Sequence, residues 1–252
     1  MNYVIEKRTF PEGWAYGVKT PVPKPGNPMC IDNYRGITVL PIMTKIFEFL
    51  VNNRLVFVNE AFNRIDKDNG GFLKGSRTSD NLIILKSLVD KQLYLNRKLY
   101  VAFVDFSKAF DFINRNILFY KLLKSGLSGR VIETIRNMYS KTKCKIKTAD
   151  GLSPEINNLF GVNQGGTLSP NLFRKYLADM SDYLHKVEGV AIDTNTIIAH
   201  ILWADDLILF ADTADGLQKQ MNGLHMFCCK NKMVVNEMKT KDMVVGNPEI
   251  KL

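Results

Sequence analysis

The stretch "ILWADDLILFAD" sets two adjacent aspartates, Asp205 and Asp206, between apolar runs that offer no countercharge. A third aspartate, Asp105, ends the apolar run "YVAFV" far upstream. If the strands carrying these runs are neighbours, the three carboxylates converge, and they cannot all stay ionised without countercharge. Hard divalent cations supply it: Mg²⁺ takes oxygen ligands and leaves room for phosphate oxygens. Two such ions roughly 3.5–4 Å apart clamp the attacking and leaving oxygens of a phosphoryl transfer. The pattern therefore points to a two-metal polymerase or nuclease site. The plain alternative is a solvated acidic turn. Against it stand the apolar surroundings of the pair and the second run that ends in aspartate.

These carboxylates need elements to hold them. "LYVAFVDFS" reads as a strand covered on both faces. The runs flanking Asp205 and Asp206 place that pair in or beside a hairpin turn. Upstream, "PVPKPGNPMCIDNYRG" reads as loop or extended chain. Ile42, Ile46, Phe49, Leu50 and Val51 predict a helix from Leu40 to about Phe62. The glycine-rich loop "DNGGFLKGSRTSD" precedes a helix carrying Leu82, Leu85, Leu88, Val89 and Leu93. Two more helices are expected, one from near Asn114 to Gly126 and one after Ser128, with Val131, Ile132, Ile135 and Met138 on one side.

"KTKCKIKT" alternates as a strand does, with Lys141, Lys143, Lys145 and Lys147 on one face. After the turn "GVNQGGTLSP", Ser169 can cap and Pro170 can open a helix. Its apolar stripe would be Leu172, Phe173, Tyr176, Leu177, Met180, Tyr183 and Leu184. A last helix carries Leu217, Met221, Leu224 and Cys228, and short strands are expected at "KMVVN" and "DMVVG". This mixed order predicts an α+β fold, an antiparallel sheet with helices on one side.

With 252 residues, 46% of them hydrophobic, the chain can bury one large core or two small ones. Its 34 basic against 25 acidic residues give a net charge of +9. Such a balance favours polyanionic partners, or marks an ordinary basic protein. Cys30, Cys144, Cys228 and Cys229 form no C-x-x-C pair, and His185, His200 and His225 are scattered. A zinc site and a disulfide are thus not expected, and the compartment is a reducing one. The start "MNYVIEKRTF" has no apolar signal segment, and no apolar run approaches ~18 residues. The expectation is an intracellular protein, in nucleus or cytoplasm, with no membrane partner.

"FVDFSKAFDFINR", "GVNQGGTLSPNLF", "WADDLILFAD" and "NEMKTKDMVVG" occur in the order of the reverse transcriptase motifs lettered A to D. "NYRGITVLPIMTKIFEFLVNNRL" and "GGFLKGSRTSDNL" are similar to the fingers segments that precede them. The chain resembles the reverse transcriptases of non-LTR (LINE-type) retrotransposons from about Lys19 to Gly246. The resemblance implies fingers segments over residues 1–98 and a palm over 99–252, with motifs at 99–111, 161–184, 199–212 and 231–246. It implies a fingers–palm fragment without a thumb. The implied partners are an RNA template, a DNA primer and dNTPs, and the implied cofactor is Mg²⁺, as two ions, or Mn²⁺.

Carried over by position, Asp105, Asp205 and Asp206 are the implied metal ligands, and Phe106 would add its backbone carbonyl. Phe110 falls where an aromatic ring would clash with a 2′-hydroxyl, the group that separates ribonucleotides from deoxyribonucleotides. Asp111 reads as structural. Gln164 and Gly165 match a turn bordering the incoming nucleotide, with Gly165 explained by backbone approach to the base pair. Trp203 and Ala204 fall at the primer end. Lys239 or Lys241 would protonate or neutralise the pyrophosphate leaving group. Arg35 and Lys24 look like the pair gripping the triphosphate. The lysines of "KTKCKIKT" would track a phosphate backbone; the alternative is an edge strand shielded by lysines.

Two positions depart from the family pattern. Trp203 stands where Tyr or Phe is usual, and Gly166 where a bulkier residue or Cys is usual. The expected function is RNA-directed DNA polymerisation in retrotransposition. The alternative is an inactive, truncated relic that only binds RNA or DNA.

Overall fold

The computed structural model describes residues 1–61, 69–184, 189–194 and 196–246. In chain order its main elements begin with α1 (Asn2–Lys7), β1 (Tyr16–Pro23), β2 (Tyr34–Val39), α2 (Ile42–Ala61) and α3 (Thr78–Tyr94). They continue with β3 (Leu99–Val104), α4 (Arg115–Lys124), α5 (Gly129–Lys141), β4 (Lys143–Thr148), β5 (Gly151–Leu152) and β6 (Ile156–Asn157). Then follow α6 (Ser169–Leu177), α7 (Ser181–Leu184), β7 (Val190–Ala191), β8 (Ile197–Ile198) and β9 (His200–Trp203). The last are β10 (Asp206–Ala211), α8 (Ala214–Asn231) and β11 (Lys241–Val245). Phe62, the expected end of α2, lies outside the described residues. No described helix is long and apolar enough to cross a membrane.

Contacts divide the chain into two units, Met1–Ile65 with Phe110–Tyr176, and Asp66–Ala109 with Leu177–Leu252. In the first unit, β1 pairs antiparallel with β2 and parallel with β4. Leu118 and Leu122 of α4 and Ile132, Ile135 and Met138 of α5 are all buried. The Asn114 side chain accepts from the amides of Asn116 and Ile117 and so starts α4. The α+β class expected from the sequence is the one found.

The second unit has a four-stranded antiparallel sheet in the order β11-β3-β10-β9. Alternate residues Leu99, Val101, Ile201 and Phe210 cluster with Leu88 of α3. The intervening Ala102, Val104, Leu207 and Leu209 are equally buried, and α8 lies against β10 and β3. The unbroken apolar run of β3 is thus a strand covered on both faces, as expected.

Three local expectations fail. Lys141 is the last residue of α5, not the first of a strand, and its Nζ donates to the Phe10 carbonyl at 2.9 Å. The single helix expected after Pro170 is broken between Leu177 and Ser181 into α6 and α7. "KMVVN" forms no strand; Val235 makes only an isolated bridge with Phe106. Furthermore, β4 is no edge strand, because it pairs with β1 on one side and with β6 and β5 on the other.

Candidate active site

In the second unit, β3 and β10 run antiparallel with Val104 opposite Leu207. One residue on, Asp105 leaves β3 beside the start of β10 at Asp206. Asp206 pairs with Trp203 across the β9–β10 hairpin, so Ala204 and Asp205 form a two-residue turn. The three aspartates predicted from sequence are therefore carried to one end of neighbouring strands. Asp105 is half-buried and Asp206 exposed. All their donors are hard carboxylate oxygens, a set that suits Mg²⁺ or Mn²⁺. Among the described residues, however, no three His, Cys, Asp or Glu side chains stand close enough together to hold a metal ion.

The segment after α8 straps the end of β3. The Asn236 amide donates to the Asp105 carbonyl at 2.7 Å, and the Ser107 amide donates to the Val234 carbonyl at 2.8 Å. The Asp105 amide donates to Thr240 Oγ1 at 3.3 Å. This alternation makes Phe106 and Val235 a non-hydrogen-bonded pair, so the Phe106 carbonyl points away from Val235. Lys239 sits in the same strap with its Nζ 3.9 Å from Asp105 Oδ2. Lys241 instead begins β11, opposite Phe103.

The expected nucleotide-binding residues Phe110, Gln164 and Gly165 belong to the first unit. The Phe110 ring stacks on Phe173 with centroids 4.3 Å apart. Gln164 Nε2 donates to Asp111 Oδ2 at 2.9 Å, and Lys19 Nζ stands 3.5 Å from Asp111 Oδ1. Asp111 thus ties the Gln164 turn to β1. The Gln164 carbonyl accepts from the Thr38 amide at 2.6 Å. Gly165 has φ +108°, and a Cβ there would stand 2.6 Å from the Thr38 carbonyl oxygen. Within this fold, β2 already demands the glycine that had been assigned to base-pair approach.

Arg35 is exposed on β2 opposite Val22, and Lys24 directly follows the end of β1 at Pro23. Lys19 faces the other way by strand alternation. Of the lysine row, Lys143 Nζ is 3.4 Å from Glu155 Oε2, while Lys147 is exposed.

Two residues of note escaped the sequence reading. Glu48 of α2 is fully buried, and its Oε2 accepts from the Leu168 amide at 3.4 Å. A Cβ on Gly166 would come within 2.8 Å of Ser169 Oγ and 2.9 Å of that Oε2, so a larger residue there would have to displace one of these side chains. Burial pushes the Glu48 carboxyl up to about 7. Its signal was an acid lying between Phe47 and Val51 on the apolar helix face. Asn69, also fully buried, carried no signal beyond its place in a glycine-rich loop.

Comparison with known proteins places the chain among relatives of known class. The "RNA-directed DNA polymerase from mobile element jockey" of Drosophila funebris is 27% identical over 254 residues, covering 98% of this chain and 27% of the relative. The "Probable RNA-directed DNA polymerase from transposon X-element" of Drosophila melanogaster is 28% identical, covering 86% of this chain and 24% of the relative. The chain thus spans about a quarter of the length of these curated relatives. A solved structure of apo telomerase from Candida tropicalis, truncated from its C-terminal domain, shares the fold. Its TM-score is 0.63 at 16% identity, over 96% of this chain and 54% of that one. The profile described as "Reverse transcriptase (RNA-dependent DNA polymerase)" matches residues 22–251, so with nearly its whole length aligned the chain belongs to the reverse transcriptase family.

Proposed function

We propose that this chain is the polymerising core of a retrotransposon reverse transcriptase, extending a DNA primer on an RNA template with dNTPs. The observation that carries this reading is the β3–β10–β9 arrangement, which sets Asp105, Asp205 and Asp206 at one end of adjacent strands with Lys239 beside Asp105. The primer 3′-hydroxyl gives its proton to solvent as its oxygen attacks the α-phosphorus of the dNTP, the bond from that phosphorus to the oxygen bridging to the β-phosphate breaks, and pyrophosphate leaves. Asp105, Asp205, Asp206 and the Phe106 carbonyl would hold the divalent ions, which supply positive charge for the phosphoryl oxygens when bound. Lys239 donates a proton to the departing pyrophosphate.

Of the first unit's residues, Phe110 excludes a 2′-hydroxyl, Gln164 and Gly165 border the nucleotide, and Arg35 with Lys24 grips the triphosphate. Trp203 and Ala204 abut the primer end. Lys143, Lys145 and Lys147 track the nucleic-acid backbone. Lys141 is withdrawn from that set, because its ammonium is held by the Phe10 carbonyl.

A second reading, a protein that binds nucleic acid without extending it, rests on the net charge of +9, which favours polyanionic partners whether or not the chain extends a primer. Primer extension on an RNA template with Mg²⁺ separates the two. Extension by the parent, reduced on the order of a hundredfold or more in Asp205→Ala, supports the polymerase. Equal extension by parent and variant removes Asp205 from the mechanism. Salt-dependent binding of primer–template without incorporation favours the second reading.

A further inference from the structure

Ala204, the first residue of the β9–β10 turn, has φ +56°. A two-residue hairpin with a positive φ at its first position ordinarily takes glycine there, because a Cβ crowds the following carbonyl in the left-handed region. An alanine held in that conformation needs support from outside the turn, and Asn69 supplies it. Asn69 Oδ1 accepts from the Ala204 amide at 3.1 Å, and Asn69 Nδ2 donates to the Ala204 carbonyl at 3.3 Å. One side chain therefore brackets the strained residue on both sides.

The Asn69 side chain is itself fixed. Its Oδ1 also accepts from the Gly71 amide at 2.9 Å, and no part of the residue reaches solvent. Its loop is seated on β9 through a parallel bridge between Asn69 and Leu202 and through the Gly70 amide, which donates to the Leu202 carbonyl at 3.1 Å. The approach is close enough that a Cβ at Gly71 would stand 2.1 Å from the Ala204 nitrogen. Asp205 follows Ala204 directly, so the Ala204 backbone angles set the direction of the Asp205 carboxylate.

We propose that Asn69 is a positioning residue for the catalytic hairpin, holding Ala204 left-handed and thereby aiming Asp205. This rests on reading Asp205 as a metal ligand. A misplacement of about 1 Å at a reacting centre costs on the order of a hundredfold in rate. Asn69→Ala should therefore lower primer extension about tenfold to a hundredfold, with the dNTP KM little changed. It should also weaken Mn²⁺ binding, followed by electron paramagnetic resonance, and speed hydrogen exchange at the Ala204 amide.

Glycine adopts a positive φ freely, so Ala204→Gly added to Asn69→Ala should restore a large part of the lost Mn²⁺ binding and extension. A general packing role for Asn69 predicts no such rescue. Full activity and unchanged Mn²⁺ binding in a folded Asn69→Ala protein overturns the proposal. So does a double variant no better than the single, or failure of both to fold. Folding and extension by the double variant where the single one does not fold supports it. If Asp205→Ala extends as well as the parent while Asn69→Ala still frees the Ala204 amide, the role of Asp205 fails and the clamp stands without its catalytic consequence.

Discussion

On α2 the buried face is Thr44, Phe47, Val51 and Leu55, and Glu48 lies in it. Its Oε1 finds no hydrogen-bond partner among the described residues, so the charged form is poorly compensated there. Burial raises the carboxyl from 4.5 to about 7, against the smaller opposing pull of the Leu168 amide. A raised carboxylate means that the folded state holds its proton more tightly than the unfolded state does. Its ionisation costs nothing below the unfolded pKa, and stability is lost as pH rises from 4.5 to about 7. The full loss is about 3 kcal/mol. Glu48→Gln should match the parent in stability near pH 4.5 and exceed it by about that amount at pH 8. Chemical denaturation of both proteins across this range checks it, and a pH-independent difference between them refutes the assignment.

At the scale of elements, Arg115 opens α4 and ties three backbone segments together. Its Nε, Nη1 and Nη2 donate to the carbonyls of Gly161, Tyr139 and Phe160 at 2.9, 3.0 and 3.0 Å. The end of α5 and the approach to the Gln164 turn are both fixed to one guanidinium. Arg115→Ala leaves three carbonyls without it and should cost about 2–4 kcal/mol, read as a lower denaturation midpoint. Arg115→Lys should recover little of that, because a single ammonium cannot span the fork.

That tie shows which parts of the fold were legible in the sequence. α2, α3, α4, α5 and the β9–β10 hairpin were, because each advertises itself locally through period, cap or alternation. The α5–β4 boundary was not. Only Thr142 separates the two elements, and the Lys-x-Lys alternation runs back into the helix. "KMVVN" has strand composition, yet only Val235 bridges to a neighbour. The placement of the aspartates at one end of adjacent strands was legible because Asp105 and the Asp205–Asp206 pair each follow an apolar run. Asn69 and Glu48 were not, since their partners lie 135 and 120 residues away and nothing local marks the pairing.

For the whole molecule, a net charge of +9 predicts that primer–template affinity falls with salt. Three lysines of the "KTKCKIKT" row differ in what holds them. Lys141 is committed to the Phe10 carbonyl and Lys143 lies against Glu155, whereas Lys147 is exposed on β4 opposite Leu152. A lysine that neutralises a phosphate contributes about 0.9 to the slope of log affinity against log salt on a duplex. Lys147→Gln should therefore weaken binding at low salt and flatten that slope by about 0.9. Lys141→Gln should lower the denaturation midpoint and leave the slope as it was, because its ammonium is engaged within the fold. Binding titrations of both variants over a series of salt concentrations decide the matter. An unchanged slope in Lys147→Gln takes β4 out of the nucleic-acid path, and a flattened one in Lys141→Gln puts the end of α5 into it.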